Sequence, residues 1–153
     1  MKFEHLVEIN SPGNPAIAPL TRRQLWRGLV MRAEEPTLFV PHLDACDITE
    51  RTDVAIARKL TYGTLVIHDR VTYLEAHQVR YHIAAQKEFS DSTLTMTIEE
   101  PRPDYLFVRF EYEDASADEG ADAMYNNFRR SAYKESDIDT IHVIRQLAAQ
   151  GRL

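Results

Sequence analysis

Apolar and polar positions along this chain alternate in some segments and follow a helical period in others, and the changes of period divide it into elements. "KFEHLVEI", Lys2 to Ile9, places Phe3, His5, Val7 and Ile9 on one face and predicts a half-buried strand. The turn-rich "NSPGNP" ends it. Leu25, Trp26, Leu29, Val30 and Ala33 then recur at helical spacing, with Thr21 placed to cap, Gln24 to close a capping box and Leu20 to staple onto Leu25. This helix is predicted to run to about Glu35, where Pro36 breaks it and opens a short second helix through Val40.

From Ala45 to Glu113 the helical period gives way to alternation punctuated by turns, which predicts six consecutive antiparallel strands. Their inward sets are Val54/Ile56/Arg58/Leu60, Leu65/Ile67/Asp69/Val71/Tyr73, Val79/Tyr81/Ile83, Leu94/Met96/Ile98 and Leu106/Val108/Phe110/Tyr112. "EEPRPDY", Glu99 to Tyr105, is too rich in proline for a central strand and reads as a connection. A final helix is expected from about Ala117 to Gln150, capped by Ser116 with Glu119. Its apolar stripe changes direction. Met124, Tyr125, Phe128 and Ala132 share one face, whereas Ile138, Ile141, Ile144, Leu147 and Ala148 define a nearly opposite one, so either a bend near Ser136-Asp137 or a partner such as a second copy is expected.

Two charges break the apolar face. Pairing Leu60 with Leu65 across Tyr62-Gly63 sets Ile56 opposite Asp69 and makes Arg58 its diagonal neighbour, within reach of a long side chain. A carboxylate among hydrocarbon must be paired, hydrogen-bonded or protonated. Arg58 and Asp69 therefore form either a structural ion pair or a polar anchor in an apolar pocket, with Arg58 meeting a ligand carboxylate or enolate and Asp69 a hydroxyl. His5 also lies on an inward phase, as an acid or base beside them or as a hydrogen-bonded core histidine. Ser131, Glu135 and Asp139 share a face with Phe128 on a straight last helix and would add polar groups there.

With 153 residues the chain suits a single domain, 1–153, large enough to bury roughly 70% of its extended-chain surface without a disulfide. The lone Cys46 reads as a small buried hydrophobe, which together with an amino terminus lacking a hydrophobic signal core suggests a cytoplasmic protein without stable membrane insertion. Twenty-four acidic against 18 basic residues, a net charge of -6, argues against a nucleic-acid partner. The acidic run Glu111 to Asp122 lacks the ligand alternation of a calcium loop and reads as a solvated helix entry. No phosphate-cradling loop, nucleophile elbow, dinucleotide fingerprint or close histidine pair is present, so neither a cofactor nor a metal is expected.

The order of strand, two helices, six strands and long helix resembles the helix-grip fold of the START and birch-pollen-allergen superfamily. More closely, "LTRRQLWRGLVMRAEEPTLFVP", "HDRVTY", "STLTMTIEEP" and "SAYKESDIDTIHVIRQLAAQGRL" look like the AtaL-like family of small bacterial and fungal proteins, over essentially the whole chain. The resemblance implies an α+β, START-like ligand-binding domain in which a curved seven-stranded antiparallel sheet grips the last helix and leaves a cavity between them. It makes Tyr73, Tyr81, Met96, Phe110, Met124 and Phe128, whose default role is core, candidates to line that cavity. The glycine-rich loop of the plant relatives has no counterpart here, so no nucleotide or ribonuclease role follows. The function expected is binding of a hydrophobic small molecule such as a lipid, aromatic or polyketide-like metabolite. An enzyme of the cyclase, aromatase or dehydratase type and a protein-interaction module are the alternatives.

Overall fold

The computed structural model describes residues 1–86, 89–116 and 120–153. Strand β1 (Lys2–Asn10) leads to helix α1 (Arg22–Glu34), then to β2 (Ala45–Arg51), β3 (Ala55–Tyr62), β4 (Leu65–Leu74), β5 (Gln78–Ile83), β6 (Ser92–Arg102), β7 (Tyr105–Asp114) and the long helix α2 (Ala121–Ala149). The strands form one antiparallel sheet in the order β1-β7-β6-β5-β4-β3-β2. The α+β architecture is thus the one expected from the sequence.

Local chemistry sets the ends of α1. Thr21 and Gln24 exchange side-chain and backbone bonds, 3.0 Å to the Gln24 amide and 2.9 Å to the Thr21 amide, and complete the capping box. Of the two helices expected after β1, the second is a single 3₁₀ turn at Pro36–Leu38, with a non-helical Glu35 before it. Buried Leu25, Trp26, Leu29 and Ala33 carry α1 onto the sheet, where Ile56, Val71, Val79, Met96, Val108 and Phe110 provide the other half of the core. Gly28 lets α1 approach α2, because a methyl group there would lie 2.7 Å from the Ile144 side chain.

Three expectations change. First, the β3–β4 hairpin closes through Gly63-Thr64, with Tyr62 opposite Leu65, so Leu60 faces Ile67, Arg58 faces Asp69 and Ile56 faces Val71. Gly63 takes a positive φ of 58°, which suits the first position of a two-residue hairpin turn. The register differs by two residues, so the inward faces are unchanged, but Arg58 and Asp69 become direct partners. Val54 lies before β3 and is 63% exposed, and Leu65 at the hairpin end is also exposed. Second, β6 extends through Pro101, and the connection to β7 shrinks to Pro103-Asp104. A register shift between Glu99 and Arg102 accommodates the proline that cannot donate to a ladder.

Third, α2 is one uninterrupted helix whose carboxy-terminal half is the buried one. Ile141, Ile144 and Leu147 pack into the chain's own core, which leaves only Ile138 of that face exposed, at 55%. The switch of stripe therefore needs no second copy to cover Ile141 or Ile144. The cap at Ser116 with Glu119 involves a residue outside those described, and Gly120 occupies the N-cap position. Among the described residues no helix is long and apolar enough to cross a membrane.

Candidate functional site

The inward face of the sheet and α2 do not close completely on each other, and a cavity of about 330 Å³ remains. Leu60, Ile67, Ile83 and Leu94 give it apolar walls from β3 to β6. Pro36, Val40 and Leu43 border it beyond α1, and Tyr133 and Ser136 border it from α2. Its volume lies at the small end of the range that holds drug-sized ligands. Tyr112 and Tyr133, both in the wall, stack on each other with centroids 4.0 Å apart and planes 7° from parallel.

Alternation along β3 and β4 turns Arg58 and Asp69 to this cavity, and the observed register joins them. Arg58 Nε donates to Asp69 Oδ1 at 2.8 Å and Nη2 to Oδ2 at 2.5 Å, while Nη1 donates to the carbonyl of Ala33 at 2.8 Å. The bidentate pair thus also ties the sheet to the last turn of α1. Burial alone would pull the guanidinium down, but the bonds to Asp69 and its charge outweigh that and hold Arg58 above its ordinary range. Next to it stands Tyr81, 6% exposed, with Arg58 Cζ 5.1 Å and Arg32 Cζ 5.2 Å from its ring centroid. The Tyr81 hydroxyl is buried and has no hydrogen-bond partner among the described residues.

A second polar cluster joins three elements. Asp137 of α2, 1% exposed, accepts a hydrogen bond from the Tyr112 hydroxyl on β7 and lies 3.2 Å from His5 Nδ1 on β1. Burial pushes the Asp137 carboxyl up to about 6, against the opposing pull of the Tyr112 and His5 bonds. Burial and the charge of Asp137 hold the Tyr112 phenol well above its usual range, so it acts as a donor. At the rim, bonds from Arg129 and Ser116 keep Asp114 well below the usual carboxylate range even though burial pushes the other way.

Of the residues singled out from the sequence, Arg58, Asp69 and Tyr81 line the cavity together. His5 is not among the lining residues and meets the Asp137 oxygen that Tyr112 leaves free. Tyr73 packs edge-on against Trp26 and donates to Glu34 at 3.2 Å, away from the cavity wall. Met96 and Phe110 are wholly within the core. Met124 and Phe128 point outward, 82% and 71% exposed, and Ser131, Glu135 and Asp139 are exposed too, because α2 turns its Tyr133, Asp137 and Ile141 face to the sheet. Sequence reasoning missed Arg32, Tyr133 and Asp137. Tyr133, Asp137, Ile141, Ile144 and Ala148 follow helical spacing, so tracing the buried stripe backward would have found the α2 pair. Among the described residues no group of three or more His, Cys, Asp or Glu is placed to hold a metal.

The sequence model of the family described as "Acetylaranotin biosynthesis cluster protein L" (AtaL) matches residues 7–151. No curated protein matches the chain. Among solved structures it is similar to the Zhui aromatase/cyclase from Streptomyces sp. R1128, with a TM-score of 0.64, 10% identity and coverage of 98% of this chain and 94% of that one. A START superfamily protein from Mycobacterium smegmatis gives a TM-score of 0.66 at 14% identity, covering 95% and 98%. The di-domain ARO/CYC BexL from the BE-7585A biosynthetic pathway gives 0.66 at 12%, covering 95% of this chain but 49% of that one, so the chain spans about half its length. At these identities the likeness is one of fold.

Proposed function

The chain belongs to the family of acetylaranotin biosynthesis cluster protein L, and from that premise we propose that it binds a hydrophobic small molecule, such as an aromatic or polyketide-like metabolite, between its sheet and α2. The observation that carries this reading is the 330 Å³ cavity itself, apolar along Leu60, Ile67, Ile83 and Leu94 and polar where Arg58, Asp69 and Tyr81 meet. Apolar walls interspersed with charged and hydroxyl groups, Arg32, Arg58, Asp69 and Ser136 among them, can take up an apolar body and orient its polar end. The fold shared with proteins named aromatase/cyclase and START supports the same reading.

Leu94→Trp fills the cavity from β6 and is expected to reduce binding of the apolar dye Nile red at least about tenfold, whereas overpacking costs only about 1–3 kcal/mol of stability. Fluorescence titration alongside a urea melt separates the two effects. Undiminished dye binding by a folded variant means the cavity is not the site.

A cyclase-type enzyme is the second reading, favoured by one observation. The Tyr112 side chain, a cavity wall, is hydrogen-bonded to Asp137 and through it to the partly exposed His5, a chain of groups able to exchange a proton with solvent. Native mass spectrometry of protein from its own cells distinguishes the readings. A molecule retained unchanged supports binding, and its conversion on incubation supports catalysis.

A further inference from the structure

The charged groups around the cavity are not equally satisfied. Arg58 and Asp69 neutralise each other. At the rim Asp114 holds Arg129 at 2.7 Å and Glu113 lies 3.8 Å from Lys2. On the α2 side the oxygens of Asp137 are taken by Tyr112 and His5. Arg32, which reaches the cavity from α1, has no carboxylate in ion-pair contact among the described residues. Its Nε donates to Thr140 Oγ1 at 3.1 Å, and its Cζ lies over the Tyr81 ring. Tyr81 has the complementary deficit, since its side chain lines the same wall and its buried hydroxyl finds no partner among the described residues.

A cation without a contacting counter-ion and a hydroxyl without an acceptor have the same remedy, an oxygen that carries negative charge. A neutral ligand would shield Arg32 from water and leave its charge only the more distant Asp137, whose oxygens are already bonded to Tyr112 and His5. We infer that the cavity takes its ligand as an oxyanion, a carboxylate or the enolate or phenolate of a ring hydroxyl, held by Arg32 and Tyr81, with a flat ring against the Tyr112–Tyr133 stack. Arg58 is then the weaker anchor, because Asp69 already meets its charge in a bidentate pair and three of its five N–H groups are engaged by Asp69 and the Ala33 carbonyl, while its guanidinium lies over Tyr81. The inference rests on the cavity being the ligand site and adds the charge and shape of what enters it.

Naphthoate and naphthamide, a charged and an uncharged ring of one shape, test it in calorimetric titrations of the intact chain. The wild type is expected to bind naphthoate at least about tenfold more tightly, as a charge-assisted bond to a guanidinium would give. Arg32→Gln should erase the preference while leaving naphthamide binding in place, Arg32→Lys should keep it, and Tyr81→Phe should reduce it. Equal wild-type affinity for the two, or a preference that survives in Arg32→Gln, overturns the oxyanion while leaving the cavity as the site. Binding of neither ring, or binding of both that Leu94→Trp does not weaken, overturns the cavity reading and this inference with it. If Arg32→Gln does not fold, the wild-type ratio and the Tyr81→Phe and Arg32→Lys titrations still decide.

Discussion

Two buried carboxylates flank the cavity, and the protein handles them in opposite ways. Asp69 sits on the β3–β4 hairpin, faces a guanidinium on the adjacent strand and is bonded to it at both oxygens. Asp137 sits on α2 and, among the described residues, is hydrogen-bonded by a phenol from β7 and a partly exposed imidazole from β1, with the charge of Arg32 acting from beyond contact distance. A full opposite charge in bidentate contact offsets the cost of taking a carboxylate out of water, whereas one neutral donor and one titratable ring do not. Burial therefore lifts the Asp137 carboxyl to about 6. The contrast divides the surroundings of the cavity into a part whose charge is settled and a part whose charge depends on conditions.

The strongest way to break this contrast is to unsettle the first pair. Arg58→Met strands Asp69 and is expected to cost about 3–5 kcal/mol in urea denaturation, and Asp69→Leu should cost a similar amount, whereas the double variant should recover most of the loss. Single variants as stable as wild type would show that the pair contributes nothing to the scaffold. A smaller effect, with a pH signature, belongs to Asp137→Asn. The wild-type carboxyl rises from 3.8 to about 6 on folding, so the folded state holds its proton more tightly than the unfolded one, and stability falls as pH rises between about 4 and about 6. At about 1.4 kcal/mol per unit that loss amounts to at most about 3 kcal/mol. Asparagine does not titrate, so the variant should gain on wild type across this window and hold its gain above it. A difference that stays flat with pH would place the titration elsewhere. The smallest effect is that of Tyr112→Phe, about 1 kcal/mol for one hydrogen bond, with the window unchanged at its lower edge and extended at its upper one because folded Asp137 loses a donor. Paired pH series of melts measure both.

The two carboxylates also differ in how far the sequence reveals them. Arg58 and Asp69 interrupt apolar strands on the inward phase, eleven positions apart on one hairpin, and so can be read from alternation alone. Their register cannot, since a slip of two residues keeps every side chain on its face and only the Gly63-Thr64 turn decides between the alternatives. Asp137 and His5 lie 132 residues apart and meet only when α2 folds back over β1. Their encounter has no local signature. The apolar cluster of Met124, Tyr125 and Phe128 also outcompetes the weaker stripe through Tyr133 and Asp137, so the buried face of α2 is misassigned from hydropathy and the cavity's helical wall with it. Arg32 was hidden in another way, as a charge at the edge of an otherwise apolar helical face, where a flexible side chain is ordinarily read as solvent-facing.

Gly28 opposite Ile144 has a consequence for how this chain can change over generations. A methyl group at position 28 would come within 2.7–2.9 Å of three side-chain carbons of the fully buried Ile144, so something must shift to admit it. Positions 28 and 144 therefore have a joint volume to divide, and drift at one is constrained by the other. A lineage that acquires alanine at 28 must first or simultaneously accept alanine at 144, since valine would keep both γ carbons at 2.7 Å, or let α1 move outward and take Arg32 with it. Descendants that retain the cavity's polar end should accordingly show these two positions changing as a pair, although they lie far apart in the sequence.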